Sequence, residues 1–320
     1  MIEIKITAND ANQRFDRFLR KLLIKSPISA IQKNIRKKNF KINGKRAKFN
    51  DFLKEGDIVE LFISDENYLK LTEDKKIYEL KSKLNIVYED ENLIIMDKRA
   101  GILSHAAEKK DYGNNMVDFM ISYLYKTNQV NSRDKTFTPA IVNRLDRNTA
   151  GILIGAKNHE SVVNLNKAIK ENKISKYYLT IVDGYIKKDF EINEKIFKNE
   201  NRNIVKSDEK GKEIKTKFKV IDTNKKLSLL EAELITGKTH QIRFSLMKNN
   251  TPIIGDRKYG NKKINQTLKN KTNINNQILL AYKLRFGKVK GLEYLNGKEF
   301  FTGYLNKFNE IKDICFEIFK

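Results

Sequence analysis

The stretch from Ile141 to Lys157, IVNRLDRNTAGILIGAK, constrains this chain more than any other. Apolar residues flank a charged, glycine-terminated centre running from Asn143 through Arg144, Leu145, Asp146 and Arg147 to Gly151. Ile141-Val142 reads as the end of a buried strand, and Ile152 to Ala156 as another. A polar loop wedged between buried strands is costly unless its groups are paired. Asp146 between Arg144 and Arg147 is therefore either a functional site or a solvated Arg–Asp turn, and the rest of the chain has to decide.

The chain has 320 residues, enough for one large core or two to three domains. It is 40% hydrophobic and 32% charged, a globular balance rather than a disordered one. Its net charge of +24 favours a polyanionic partner, nucleic acid first, although a general richness in Lys, Asn and Ile contributes to the excess. The single cysteine, Cys315, allows no internal disulfide, and three scattered histidines offer no metal site. The N-terminus lacks a signal-peptide pattern and no apolar run approaches a membrane span. The expectation is a cytoplasmic protein with no membrane partner, monomeric by default, with no metal and no cofactor.

Alternating Ile2, Ile4 and Ile6 predict a strand, and Phe15, Phe18, Leu19, Leu22 and Leu23 one face of a helix. A second helix is expected over Ser29 to Lys38, then a strand at Phe40 to Ile42, a hairpin turn at Asn43-Gly44 and a strand from Ile58 to Ile63. The polar stretch 65–83 reads as a linker, dividing the chain into 1–64 and 84–320. Beyond it, Leu84 to Met96 predicts a hairpin and Asn115 to Tyr125 a helix. Asn158 predicts a cap for a helix whose inward residues are Val162, Val163, Leu165 and Ile169. Lys176 to Gly184, Leu227 to Leu234 and Ile278 to Phe286 read as strands, and Gly237 to Met247 as a turn into a helix. Phe190 to Lys217 reads as loop-rich with short strand pieces, Asn261 to Asn276 as a polar insertion and Phe316 to Phe319 as an apolar tail. Many strands with few helices between them predict an α+β fold with a mixed, largely antiparallel sheet.

The segment Arg14 to Ile63 resembles an S4-type RNA-binding domain. The matching residues are Arg14, Asp16 and Leu19, the stretch AIQKNIRKKNFKINGK, and Gly56-Asp57. The resemblance implies RNA contacts by Arg14, Lys33, Arg36, Lys37, Lys38 and Lys45. Cations on one face of a rigid helix contact phosphates and release counterions. The bland alternative is the solvated face of an amphipathic helix.

Four further segments stand out together: Arg144-Leu145-Asp146, Lys176-x-Tyr178, Gly237 to Arg243 (GKTHQIR) and Gly255-Asp256-x-x-Tyr259-Gly260. Their order and content, with VYEDENLIIMDKRAG and LLAYKLRF, resemble the RluA superfamily of pseudouridine synthases over nearly all of Leu84 to Phe286. With the S4-like segment in front, the chain is similar to the RluC and RluD branch acting on large-subunit (23S) ribosomal RNA. Val205 to Val220 looks more like the RluC side.

The resemblance implies that Asp146 is the catalytic aspartate, acting as nucleophile or as the base that takes the sugar 2′ proton. It implies that Arg243 pairs with Asp146, and that Tyr178 stacks on the target base. Arg144 would enter the RNA stack as the nucleotide is extruded. Taken singly, Arg243 could be a phosphate contact, Tyr178 a core aromatic and Arg144 a loop salt bridge. His240 and Gln241 read as residues that orient the loop, His159 as structural, and His105 as packing or touching RNA. The chain departs from the family at Asn143 and Leu280 (both usually His), at Ala150 (Ser or Thr), and at Asp97 and Arg99. These departures touch loop geometry and target choice rather than the reaction. The competing readings are a non-catalytic RNA-binding or assembly factor, and the same reaction on another structured RNA such as tRNA. A metal-dependent nuclease or glycosylase lacks the carboxylate cluster or second acid it would need.

Overall fold

A computed structural model describes residues 1–73, 83–130, 134–199, 204–207 and 211–320. The N-terminal unit runs β1 (Ile2–Lys5), α1 (Phe15–Leu22), α2 (Ile28–Arg36), β2 (Phe40–Ile42), β3 (Lys45–Arg46), β4 (Ile58–Leu61) and α3 (Asp65–Leu71). Its strands form a four-stranded sheet in the order β1-β4-β2-β3. Asn43 and Gly44 adopt φ of 48° and 72°, the paired left-handed residues that a tight β2–β3 hairpin needs. Phe15, Phe18, Leu19 and Leu22 of α1 meet Ile31 and Ile35 of α2 above the sheet, as the helical spacing predicts.

The second unit contains β5 (Asn85–Glu89), β6 (Leu93–Lys98), α4 (Met116–Lys126), β7 (Ala140–Ile141), β8 (Ala150–Ala156), α5 (His159–Lys170), β9 (Ile174–Asp183), β10 (Phe190–Asn199) and β11 (Ile204–Ser207). It continues with β12 (Lys212–Thr223), β13 (Leu227–Leu234), α6 (Gln241–Lys248), α7 (Lys262–Thr272), β14 (Leu279–Phe286), β15 (Glu299–Phe301) and α8 (Leu305–Ile318). The strands make one sheet along the path β11-β10-β12-β13-β9-β14-β8-β6-β5, with β15 on β14 and β7 on β8. Among the described pairs, only β14–β8 is parallel. The fold is α+β with a mixed, mostly antiparallel sheet, as expected. α4 and α6 pack with Ile94, Leu153, Tyr178 and Leu230 in one core, whereas Leu165 of α5 joins Ile152 and Ile154 in another.

Several expectations need correction. Asp65–Leu71 of the stretch read as a linker is a helix, capped by Ser64, and its Tyr68 and Leu71 pack on the N-terminal core. Residues 74–82 of that stretch lie outside the described residues. The segment read as loop-rich holds two long strands, β10 and β12, paired from Phe190↔Phe218 to Ile196↔Lys212. Charged residues on the outer face hid their alternation. The polar insertion contains α7, whose Leu268 is buried, and the apolar tail is the end of α8. Val163 points outward at 51% exposure, while Asn158 caps α5 as predicted.

The two units are joined through buried polar groups. The carboxylate of Asp10, fully buried, accepts from the backbone N–H of Lys135 (2.6 Å), Thr136 (2.9 Å) and Phe137 (3.1 Å) and from the Thr136 hydroxyl (2.7 Å). Asp134 accepts from Thr7 and Asn9, and Asn9 accepts from the N–H of His159. His159 is thus structural, at the first position of α5.

Gly151 lies within β8, between β6 and β14, rather than closing the loop before it. Its φ is +120°, and a β-carbon there would stand 2.1 Å from the carbonyl oxygen of Ala281. Strain and backbone overlap act together, so Gly151→Ala should destabilise the protein by at least about 3 kcal/mol in urea unfolding.

Candidate active site

The loop between β7 and β8 carries Arg144, Leu145, Asp146 and Arg147, and its shape is imposed by groups around it. Asn143 closes the strands beneath it: its Oδ1 accepts from Ile154 N–H (2.7 Å) and its Nδ2 donates to the Ile152 carbonyl (3.3 Å). The residue that departs from the family pattern therefore still ties the loop base. The hydroxyl of buried Ser104 accepts from Leu145 N–H (3.0 Å) and donates to the Leu145 carbonyl (2.9 Å). Fully buried Lys98 donates from Nζ to the carbonyls of Arg99 (3.2 Å), Ile102 (2.8 Å) and Arg147 (2.9 Å). Burial pulls Lys98 down to about 7, with the charge of Asp146 opposing. Ser104 and Lys98 were missed as site residues; their roles arise from contacts across the fold.

Asp146 is held from the other side by α6. Arg243, on the first turn of α6, donates from Nη1 to Asp146 Oδ2 at 2.7 Å. Its remaining face is locked by Asp256, which accepts from Nε (2.7 Å) and Nη2 (3.0 Å) in a bidentate pair. Asp256 is fully buried and also accepts from the N–H groups of Lys258 and Tyr259. Burial alone would loosen the Arg243 proton, but Asp256 and then Asp146 outweigh it and raise the pKa. Burial alone would likewise raise Asp256, yet Arg243 brings it below the carboxylate range. The loop bearing Asp256 is itself held by α7, where the Asn265 side chain accepts from Gly255 N–H (2.7 Å) and donates to the Asp256 carbonyl (2.9 Å). The polar insertion thus supports the site.

The Asp146 side chain is 26% exposed, and Oδ1 makes no hydrogen bond among the described residues. Tyr178, 6% exposed on β9, lies in the same core as Leu145. Burial and then the charge of Asp146 raise its pKa, so its hydroxyl stays neutral. A carboxylate with one oxygen anchored and the other open, beside a neutral aromatic wall, can act as nucleophile or base on a planar ring.

His240 adopts the left-handed conformation at the start of α6, with φ of 55°. Its Nδ1 lies 3.0 Å from the Tyr259 hydroxyl and its Nε2 4.0 Å from Asp146 Oδ2. Gln241 bridges Lys238 N–H to the Lys215 carbonyl and the Thr216 hydroxyl on β12. Both orient the loop, as expected. Arg144 is exposed and makes no ion pair among the described residues, so a loop salt bridge does not account for it; Arg147 instead faces Asp111 at 3.6 Å. His105 is exposed at the surface; partial desolvation of its ring and then the nearby charge of Arg144 lower its pKa.

In the N-terminal unit Lys33, Arg36, Lys37, Lys38 and Lys45 are exposed. Arg36 borders a concavity of about 600 Å³ that also takes in Gln32, Arg46, Lys48 and Phe49. Arg46 and Lys48 were not anticipated. Arg14 pairs with Asp16 at 2.9 Å and lies over the Phe49 ring, so part of its charge is used internally.

Comparison with known proteins agrees with this geometry. Residues 92–248 match the RNA pseudouridylate synthase family, and residues 13–59 match the S4 domain. The chain is 37% identical to "Ribosomal large subunit pseudouridine synthase C" of Buchnera aphidicola subsp. Baizongia pistaciae, over 88% of each chain. It is 35% identical to an "Uncharacterized RNA pseudouridine synthase" of Mycoplasma capricolum, over 93% of this chain and 96% of that one. In fold it is similar to human RNA pseudouridylate synthase domain containing 4, with TM-score 0.56 and 19% identity, over 72% of this chain and 92% of that one. An S4 unit ahead of such a catalytic fold defines an RNA-modifying enzyme. The chain belongs to the RNA pseudouridine synthase family, whose members isomerise uridine within RNA. Among the described residues no helix is long and apolar enough to cross a membrane.

Two outcomes follow from these electrostatics. Asp256→Ala leaves the Arg243 charge half-paired and a cavity behind it, and should cost about 3–5 kcal/mol in urea unfolding. Burial pushes His240 down to about 4, with Asp146 opposing and Arg243 reinforcing. The unfolded imidazole takes up its proton near 6.5, so the neutral native form contributes stability that is complete above that pH and lost as pH falls towards 4. An NMR titration of the His240 ring should give a midpoint near 4, and a midpoint above 6 would contradict its burial.

Proposed function

We propose that this chain isomerises specific uridines of large-subunit (23S) ribosomal RNA to pseudouridine, using Asp146. The observation that carries the reading is the Asp256–Arg243–Asp146 chain beside Tyr178. The reaction breaks the N1–C1′ bond, turns the base, and joins C5 to C1′; a proton leaves C5 and N1 ends protonated. Oδ1 of Asp146, which makes no hydrogen bond among the described residues, is suited to attack C1′ or the base, or to take the 2′ proton. Arg243 fixes the other oxygen, so the carboxylate is oriented before substrate arrives. Tyr178 offers its ring to the loose uracil, and Arg144, without an ion pair among the described residues, offers a cation for the gap left in the RNA stack.

The division 1–64, 65–83 and 84–320 belongs to this proposal, with the linker narrowed to the residues after α3. Lys33, Arg36, Lys37, Lys38 and Lys45, with Arg14 contributing less, hold RNA phosphates. The relatives named for the large ribosomal subunit support the choice of 23S RNA over tRNA, and the RluC side over the RluD side. The protein works in the cytoplasm as a monomer.

Asp146→Asn should abolish pseudouridine formation in large-subunit RNA while leaving RNA affinity within about twofold, since the Arg243 hydrogen bond survives. Mapping pseudouridine in ribosomal RNA from cells carrying only that variant tests the assignment; unchanged modification would exclude Asp146.

A further inference from the structure

Among the described residues two lysines are buried, and they differ in one respect. Lys98 gives its Nζ to three backbone carbonyls. Lys176, on β9, is 6% exposed, and its side chain makes no hydrogen bond or ion pair among the described residues. Burial is the one influence that moves its pKa, downward; no carboxylate bears on it. Its Nζ is not among the fully sealed unpartnered atoms, so a buried stem carries an ammonium to a narrow opening; holding a charge there is unfavourable, and methionine would fill the same volume at no such cost. Such a residue is explained when a ligand completes it.

The place of Lys176 says which ligand. It precedes Tyr178 by two residues on one strand, so it lies about 7 Å along β9 from the aromatic that faces Asp146. Asp146 bears on Tyr178 and not on Lys176, which places the lysine away from the reacting base. A β-carbon built on Gly237 would stand 4.0 Å from Nζ and meet nothing else within reach, so open space adjoins the ammonium beneath the loop leading to α6. The separation matches that between a pyrimidine ring and the phosphate of its own nucleotide. A uracil carbonyl would leave the charge uncompensated, whereas a phosphodiester balances it.

We propose that Lys176 receives a phosphodiester oxygen of the extruded nucleotide, fixing the backbone while the base turns against Tyr178. The inference rests on the function proposed above. It is tested by measuring RNA affinity against salt with Asp146→Asn protein, carrying Lys176, Lys176→Met or Lys176→Arg, on a large-subunit rRNA transcript. Lys176→Met should bind about tenfold more weakly and lower the slope of log K against log salt by about 0.7–0.9, as loss of one phosphate contact does. Lys176→Arg should keep the slope, and the melting temperature of Lys176→Met should not fall. An unchanged slope and affinity for Lys176→Met, or a lower melting temperature with unchanged binding, would overturn the proposal. With Asp146 intact, wild-type protein that forms no pseudouridine on the transcript would count against the assigned reaction, while a slope change would still support the phosphate site.

Discussion

The structure turns on one guanidinium. Arg243 spends two of its donor positions on buried Asp256 and a third on Asp146. The bidentate pair gives the arginine a single orientation, and that orientation sets where the Asp146 carboxylate stands. The arrangement is costly to bury, and its geometry must be good for it to persist. The backbone amides on Asp256 and the side chain of Asn265 behind it supply that geometry. A loop, a helix and an insertion from distant parts of the sequence thus converge on one carboxylate.

The loop itself has little freedom. Lys98 and Ser104 hold its backbone from the β6 side, and Asn143 holds it from below. Gly151 lets β14 approach at a distance no side chain would permit. These contacts fix a polar loop between buried strands whose own apolar side chains are Val142, packed on the core at its base, and Leu145, whose burial anchors its middle. Preorganisation of this kind orients a carboxylate before substrate arrives, so little reorganisation is left for the reaction itself.

The N-terminal unit is coupled to this loop through Asp10 and Asn9, which grip residues 135–137 and the start of α5. The gripped segment runs directly into β7 and the loop bearing Asp146. The N-terminal unit and the loop bearing Asp146 are therefore joined through a buried polar interface, and polar pairing of this density favours one relative placement.

By itself the sequence determined the class of fold and, through a family resemblance, pointed to the loop bearing Asp146 and to its pairing with Arg243. Strand and helix periods are local, and the motifs are short runs of unusual residues that survive without context. The α1 and α2 faces, the Asn43-Gly44 hairpin and the Asn158 cap were legible for the same reason. What the tertiary structure alone decided is everything that depends on a partner far along the chain. The strands β10 and β12 emerge from a segment whose charges masked their alternation, and α7 and α8 from stretches read as an insertion and a tail. Ser104 and Asp10 look like ordinary polar residues in sequence, and Lys98 and Asp256 show only as members of motifs, with no partner named. Burial makes them consequential, because a polar group removed from water must find a partner, and the fold chooses which one.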